Sequence, residues 1–254
     1  GWIHNYFGLN VSENNEAEFK RYLELNNQAL EAVSGKPVRE YSAPVGTHPK
    51  WVTRWLEAHG FLAYYFTGNT GMGPTKTYRD GERTDHDIWS FPICNLGKAA
   101  SFEDMHFSHV PEDQVAAWLR GMSDFVTREG VSRLVYAHPP GASFYPEALR
   151  SWLQKTKELS QAGRFRWYTM SGLAQFLTSR QQVRWQVTRS ADGLDTIRAT
   201  HPQSLAHQTW FLPSGAYERP RVLEGKATVE QDAQRWMVVA GDGTNLVFAA
   251  RRRK

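Results

Sequence analysis

The chain has 254 residues, of which 41% are hydrophobic and 22% charged, with ten tryptophans and a single cysteine. This is an ordinary globular composition, long enough for one large domain or for a middle-sized domain with a small appendage. The lone Cys94 excludes an intramolecular disulfide and a cysteine-rich zinc site. The net charge of +4 is confined to the terminal residues 251–254, and without them residues 1–180 and 181–254 are each neutral, so no basic stripe for nucleic acid is expected.

In chain order, Ser12 can cap a helix whose apolar stripe includes Phe19, Leu23, Leu30 and Val33 and which Gly35 and Pro37 end. "VREYSAP" (38–44) reads as a strand. "HPKWVTRWLEAHG" (48–60) has proline in its first turn, an inward face of Trp51, Val52, Trp55 and Leu56, and a stop at Gly60. "FLAYYF" (61–66) reads as a second strand. "DIWSFPI" (87–93) reads as a third, after a glycine-rich stretch, "GNTGMG", that lacks the lysine and serine or threonine of a phosphate loop. A helix over 111–130 turns Val115, Trp118, Leu119, Met122 and Phe125 inward and leads into "VSRLVYAH" (131–138). A helix from Pro146 to Ala162, a strand "FRWYTM" (165–170) and a short helix to Ser179 follow.

Strand–helix alternation of this length predicts a parallel sheet, open or closed into a barrel, with chemistry at the carboxyl ends of its strands. "YSAPVG", "DIWSFP" and "YAHPPG" all fall at such ends. After residue 180 the period changes to two: "VRWQVTR", "LDTIRAT", "QTWFLP", "RWMVVA" and "NLVFAA" are short alternating runs separated by turns. This predicts residues 1–180 as an α/β domain and residues 181–254 as a small antiparallel β unit with a basic tail. No apolar run is long enough to span a membrane, and no signal peptide is seen.

Taken together, four segments resemble the ordered motifs of the polysaccharide deacetylases, the NodB-homology, chitin-deacetylase-like carbohydrate esterases. His4 resembles the second histidine of that family's His-x-x-x-His metal pair. "YSAPVG" resembles its third motif through Pro44 and Gly46, with Ser42 where arginine is expected and Val45 in place of tyrosine. "DIWSFP" resembles the fourth through Asp87 and Trp89. "LVYAHPPG" resembles the fifth through His138, with Tyr136 instead of leucine. The resemblance covers residues 1–180. It implies a distorted (β/α) barrel lacking its first strands, plus the C-terminal antiparallel β unit. Because the first motif and the first metal histidine would precede Gly1, it also implies an N-terminally incomplete chain that binds metal poorly and has little activity.

The implied chemistry is removal of N-acetyl or O-acetyl groups from a carbohydrate polymer. A divalent metal, zinc first, held by two imidazoles and a carboxylate would lower the pKa of bound water and polarise the acyl carbonyl. The resemblance implies His4 as a metal ligand, His138 as general acid, Asp87 as its orienting carboxylate and the Val45 N–H as oxyanion donor. It implies Trp89 as a wall against the sugar, beside Pro44 and Gly46. Serine at 42 cannot make the bidentate ion pair of the family's arginine.

Each residue also has a plain structural reading. His4 can be a surface residue near a chain end, His138 a turn residue, Asp87 a strand cap and Trp89 a core residue. "HFSH" (106–109), with no third partner in register, reads as loop surface. Two further functions stay open. One is a non-catalytic glycan binder of the same fold; the other is a hydrolase of small amides or ureides, since "AHPPG" puts proline directly after the motif histidine. The expected partner is a chitin-like, peptidoglycan or exopolysaccharide substrate, and an extracytoplasmic or cell-envelope location is favoured for the complete protein.

Overall fold

The computed structural model describes residues 4–67, 73–79, 81–84 and 86–253; most of the glycine-rich stretch, 68–72, lies outside them. The chain divides into two compact units, Gly1–Gln175 and Phe176–Lys254.

The first unit runs α1 (His4–Asn10), α2 (Glu16–Ser34), β1 (Glu40–Ser42), a 3-10 turn (Pro44–Gly46), α3 (Lys50–Ala58), β2 (Ala63–Phe66) and the hairpin strands β3 (Tyr78–Arg79) and β4 (Glu82–Arg83). Then come β5 (Trp89–Pro92), α4 (Phe102–Phe107), α5 (Glu112–Glu129), a 3-10 turn (Pro140–Phe144), α6 (Pro146–Gln161) and α7 (Met170–Gln181), within which the second unit begins. The α2 helix stops where Gly35 adopts φ 65° and α5 where Gly130 adopts φ 64°, left-handed conformations that glycine reaches without steric cost. A reciprocal pair of bonds between Ser101 and Asp104 starts α4.

Glutamates close several other joints. Glu13 accepts the Lys50 N–H at the start of α3, Glu112 accepts the Glu147 and Ala148 N–H groups at the start of α6, and Glu57 accepts three, from His86, Asp87 and Ile88. A carboxylate is a good acceptor for such orphaned donors.

Strands β1, β2 and β5 form a parallel sheet in the order β1–β2–β5. One core packs α1, α2 and α3 with Tyr64 and Ile88, through Phe7, Phe19, Leu23, Trp51, Trp55 and Leu56. A second joins Phe102 and Met105 of α4 to Val115 and Leu119 of α5, and to Tyr145 and Ala148.

The second unit holds β6 (Arg184–Arg189), β7 (Leu194–Thr200), β8 (Thr209–Pro213), β9 (Arg221–Glu224), β10 (Ala227–Gln231), β11 (Arg235–Ala240) and β12 (Asn245–Arg251). They make two antiparallel sheets, β10–β11–β8 and β6–β7–β12–β9. Ile197, Leu212, Val238, Leu246 and Phe248 share one core. Beside it Asp195, 2% exposed at its side chain, accepts a bond from the Tyr217 hydroxyl at 2.9 Å and lies 3.0 Å from Arg252.

The distorted (β/α) barrel expected from the resemblance does not form. Among the described residues, every strand pairing except β1–β2 and β2–β5 is antiparallel, and no sheet closes on itself. The two remaining runs that a barrel would recruit are used otherwise. "VSRLVYAH" makes a single parallel bridge, Ile93 to Leu134, before Pro139 and Pro140 remove backbone donors. "FRWYTM" forms no strand: Phe165 packs against Trp167, and Trp167 lies edge-on to Trp152 of α6. No helix among the described residues is long and apolar enough to cross a membrane.

Candidate functional site

At the carboxyl end of the parallel sheet, register decides which side chains meet. Ser42 closes β1 directly opposite Tyr65 of β2, and the Ser42 Oγ lies 2.6 Å from the Tyr65 hydroxyl. Tyr65 donates to the Tyr136 hydroxyl at 3.0 Å, and Tyr136 lies 3.0 Å from Nε2 of His138. The tyrosine rings pack with centroids 4.8 Å apart. On the far side of the imidazole, Nδ1 stands 3.3 Å from Glu103 Oε2, while Glu103 Oε1 accepts the His138 backbone N–H at 3.2 Å. The result is one continuous polar chain: Ser42, Tyr65, Tyr136, His138, Glu103.

Local structure holds each member. Glu103 sits in the first turn of α4, fixed by the Ser101–Asp104 cap. Gly141, two residues after Pro139, leaves the space the carboxylate fills, because a Cβ there would collide with Glu103 Oε1. Burial works to raise the Glu103 carboxyl, but hydrogen bonds from its own backbone and from His138 outweigh it and hold the carboxyl below its usual range. Burial and the Tyr65 hydroxyl push the Tyr136 phenol up, so it stays protonated.

Val45 adopts φ 55° and ψ 14° in the turn that follows Ser42 and is 56% exposed. A β-branched residue in the left-handed region is uncommon and strained. Its neighbours Pro44 and Gly46 are buried and hold it there: Gly8 of α1 packs so close to Pro44 that a Cβ would lie 2.6 Å from the ring, and Gly46 (φ 73°) is backed by Thr67. This contact brings α1, and with it His4, to the same rim. His4 is held below the ordinary imidazole value by partial burial first and then by nearby positive groups, the His138 imidazole among them.

The structure packs α1, which begins at His4, against the Pro44–Gly46 turn and sets His138 at the far end of the polar chain from Ser42, while two expected residues lie elsewhere. Asp87 precedes β5 at the amino end of the sheet, four residues before Phe91, which shares a level with Tyr65; four residues of strand span about 13 Å. Asp87 is exposed, its backbone N–H held by Glu57, and Glu103 takes the position beside His138 that was expected of it. Trp89 opens β5, is buried, and has the Lys76 ammonium 4.2 Å from its ring centroid. It is a core residue with an occupied face and not a wall for a sugar.

No motif in the sequence marks Tyr65, Tyr136 or Glu103 as members of this chain. The retrievable signal was the departure from motif at Tyr136 together with the glycine of "HPPG", since a glycine so near a candidate histidine marks a close approach.

Among the described residues no group of three His, Cys, Asp or Glu side chains is placed to hold a metal ion. Both ring nitrogens of His138 face other partners. What the arrangement can do is pass protons: it has a carboxylate-backed imidazole, two phenols in line and an exposed hydroxyl at the end. No family model matches the chain, and no curated protein matches it.

Proposed function

We propose that the protein containing these residues removes acetyl groups from a carbohydrate polymer, as the polysaccharide-deacetylase-like motifs imply. The observation that carries this reading is the Glu103–His138 pair at the carboxyl rim of the parallel sheet, beside the strained Val45 turn. Such a pair supplies a proton to a leaving amine or alcohol, with the carboxylate orienting the ring and stabilising the imidazolium. The Val45 N–H is the donor expected to meet the developing oxyanion.

The test is acetate release from N-acetylglucosamine oligomers, peptidoglycan fragments and O-acetylated glycans by the gene product that contains residues 1–254, run with added zinc and again after chelation. Release from one glycan class, reduced about 100-fold by His138→Ala, is the expected result. No release from any glycan under either condition rejects the reading. Release from small cyclic amides alone transfers the activity to that substrate class.

A second reading is a glycan-binding protein without catalysis. Ser42, which stands where the motif expects arginine and cannot make its bidentate ion pair, favours it. Oligosaccharide binding by calorimetry, with no acetate released, would identify it.

A further inference from the structure

Serine stands at position 42 where the motif expects arginine, and the structure gives that serine a distinctive setting. It is exposed at the carboxyl end of β1, and its Oγ makes the 2.6 Å contact that begins the polar chain to Glu103. The directions of the bonds follow from counting protons. Each hydroxyl has one hydrogen to donate. Tyr65 spends its hydrogen on Tyr136, so the short contact to Ser42 requires the serine to donate to Tyr65. The Tyr136 hydrogen is left for Nε2 of His138, which is then the acceptor nitrogen, and the ring proton sits on Nδ1 facing Glu103. Every donor points the same way, from Ser42 toward His138.

We propose that Ser42 is a nucleophile that takes an acyl group from an ester, with His138 acting as its base through the hydroxyls of Tyr65 and Tyr136. As Ser42 Oγ bonds to the acyl carbon, its proton passes to Tyr65, the Tyr65 proton to Tyr136 and the Tyr136 proton to Nε2, producing an imidazolium beside the Glu103 carboxylate. The ester C–O bond then breaks; the imidazolium returns its proton to Tyr136, Tyr136 to Tyr65, and Tyr65 delivers its proton to the leaving oxygen, which departs as the alcohol. Water repeats the sequence on the acyl-serine, releasing the acid and restoring Ser42–H.

The chain balances without a metal, an oxidant or a co-reactant other than water. Nucleophile, base and orienting carboxylate are the parts that covalent acyl transfer needs, here spaced by the two hydroxyls of Tyr65 and Tyr136. The step goes beyond the carbohydrate reading, because the acyl group need not be borne by a sugar.

The test uses a fluorophosphonate, which a serine nucleophile attacks at phosphorus with loss of fluoride. Wild type, Ser42→Ala, Tyr136→Phe and His138→Ala are treated, checked for folding by circular dichroism, and read by intact mass and peptide mapping. One adduct per chain on Ser42 is expected, absent in Ser42→Ala and formed about 100-fold more slowly in Tyr136→Phe and His138→Ala. Labelling of wild type is also expected to slow in deuterium oxide, and Tyr136→Phe, which cuts the proton path, to lose that solvent effect. No adduct at Ser42, or a labelling rate unchanged by Tyr136→Phe and His138→Ala, overturns the proposal. Labelled Ser42 without acetate release from glycans supports the nucleophile and rejects the carbohydrate reading; acetate release with Ser42 unlabelled does the reverse.

Discussion

Glu103 grips His138 at two points, its backbone N–H at 3.2 Å and its ring Nδ1 at 3.3 Å, each through a different carboxylate oxygen. The first contact is a hydrogen bond that anchors the His138 backbone, and the second holds the carboxylate charge beside the ring. Both make the geometry sensitive to anything that moves the carboxylate.

Gly141 is the residue best placed to move it. A methyl group there would overlap the Glu103 carboxylate. Gly141→Ala is expected to cost about 1–3 kcal/mol of stability, as overpacking of an ordered site does. It should also release the His138 ring, seen as a change in its imidazole nitrogen shifts. Unchanged unfolding and unchanged shifts would show that the carboxylate has room to give.

Acid should weaken the same grip. The Glu103 carboxyl titrates below its usual range in the folded chain. Its contribution to stability is therefore complete above the ordinary carboxylate pKa of about 4.3 and fades as pH falls through the depressed folded value. Glu103→Gln, which does not titrate, is expected to cost about 1 kcal/mol at neutral pH. That gap should close below the depressed pKa. Denaturant unfolding of both proteins across the acid range measures it, and a gap independent of pH contradicts the assignment.

In the second unit, Asp195 is the corresponding point of dependence. Its buried carboxylate accepts a hydrogen bond from Tyr217 and has the Arg252 guanidinium 3.0 Å and that of Arg189 3.9 Å away. Asp195→Ala leaves a part-buried hydroxyl without its acceptor and two exposed guanidiniums without their counter-charge, and should cost about 1–2 kcal/mol. Asp195→Asn, which keeps an acceptor for Tyr217, should cost less. Faster amide exchange in β7 and β12 is the readout, because it reports on this unit by itself.

Much of the local structure was legible in the residues. The apolar spacing and glycine stops of α2, α3 and α5 mark helices within a few residues of where they lie, and the alternating runs at 184–189, 194–200, 209–213, 235–240 and 245–251 lie where strands form. Short elements escaped. The helices α1 and α4, of seven and six residues, are too short to show a period, and β9 and β10, over "RVLEGKATVE", carry too little apolar character. The aromatic run at 165–170 misled for the opposite reason: its residues have strand propensity, but the segment pairs with no strand and leaves Trp167 and Tyr168 exposed.

At the rim, His4, His138 and the Pro44–Gly46 turn could be named from motif order, whereas Glu103, Tyr65 and Tyr136 could not. The sequence alone determined the helices and the alternating runs, because those depend on near-neighbour spacing and on which residues accept left-handed backbone. Only the tertiary structure decided that the parallel sheet stops at three strands, that Asp87 lies at its other end, and that a glutamate from α4 reaches His138. These are matters of strand register and of space left by a glycine, set by contacts between residues as far apart as Glu103 and Gly141. No local pattern encodes them.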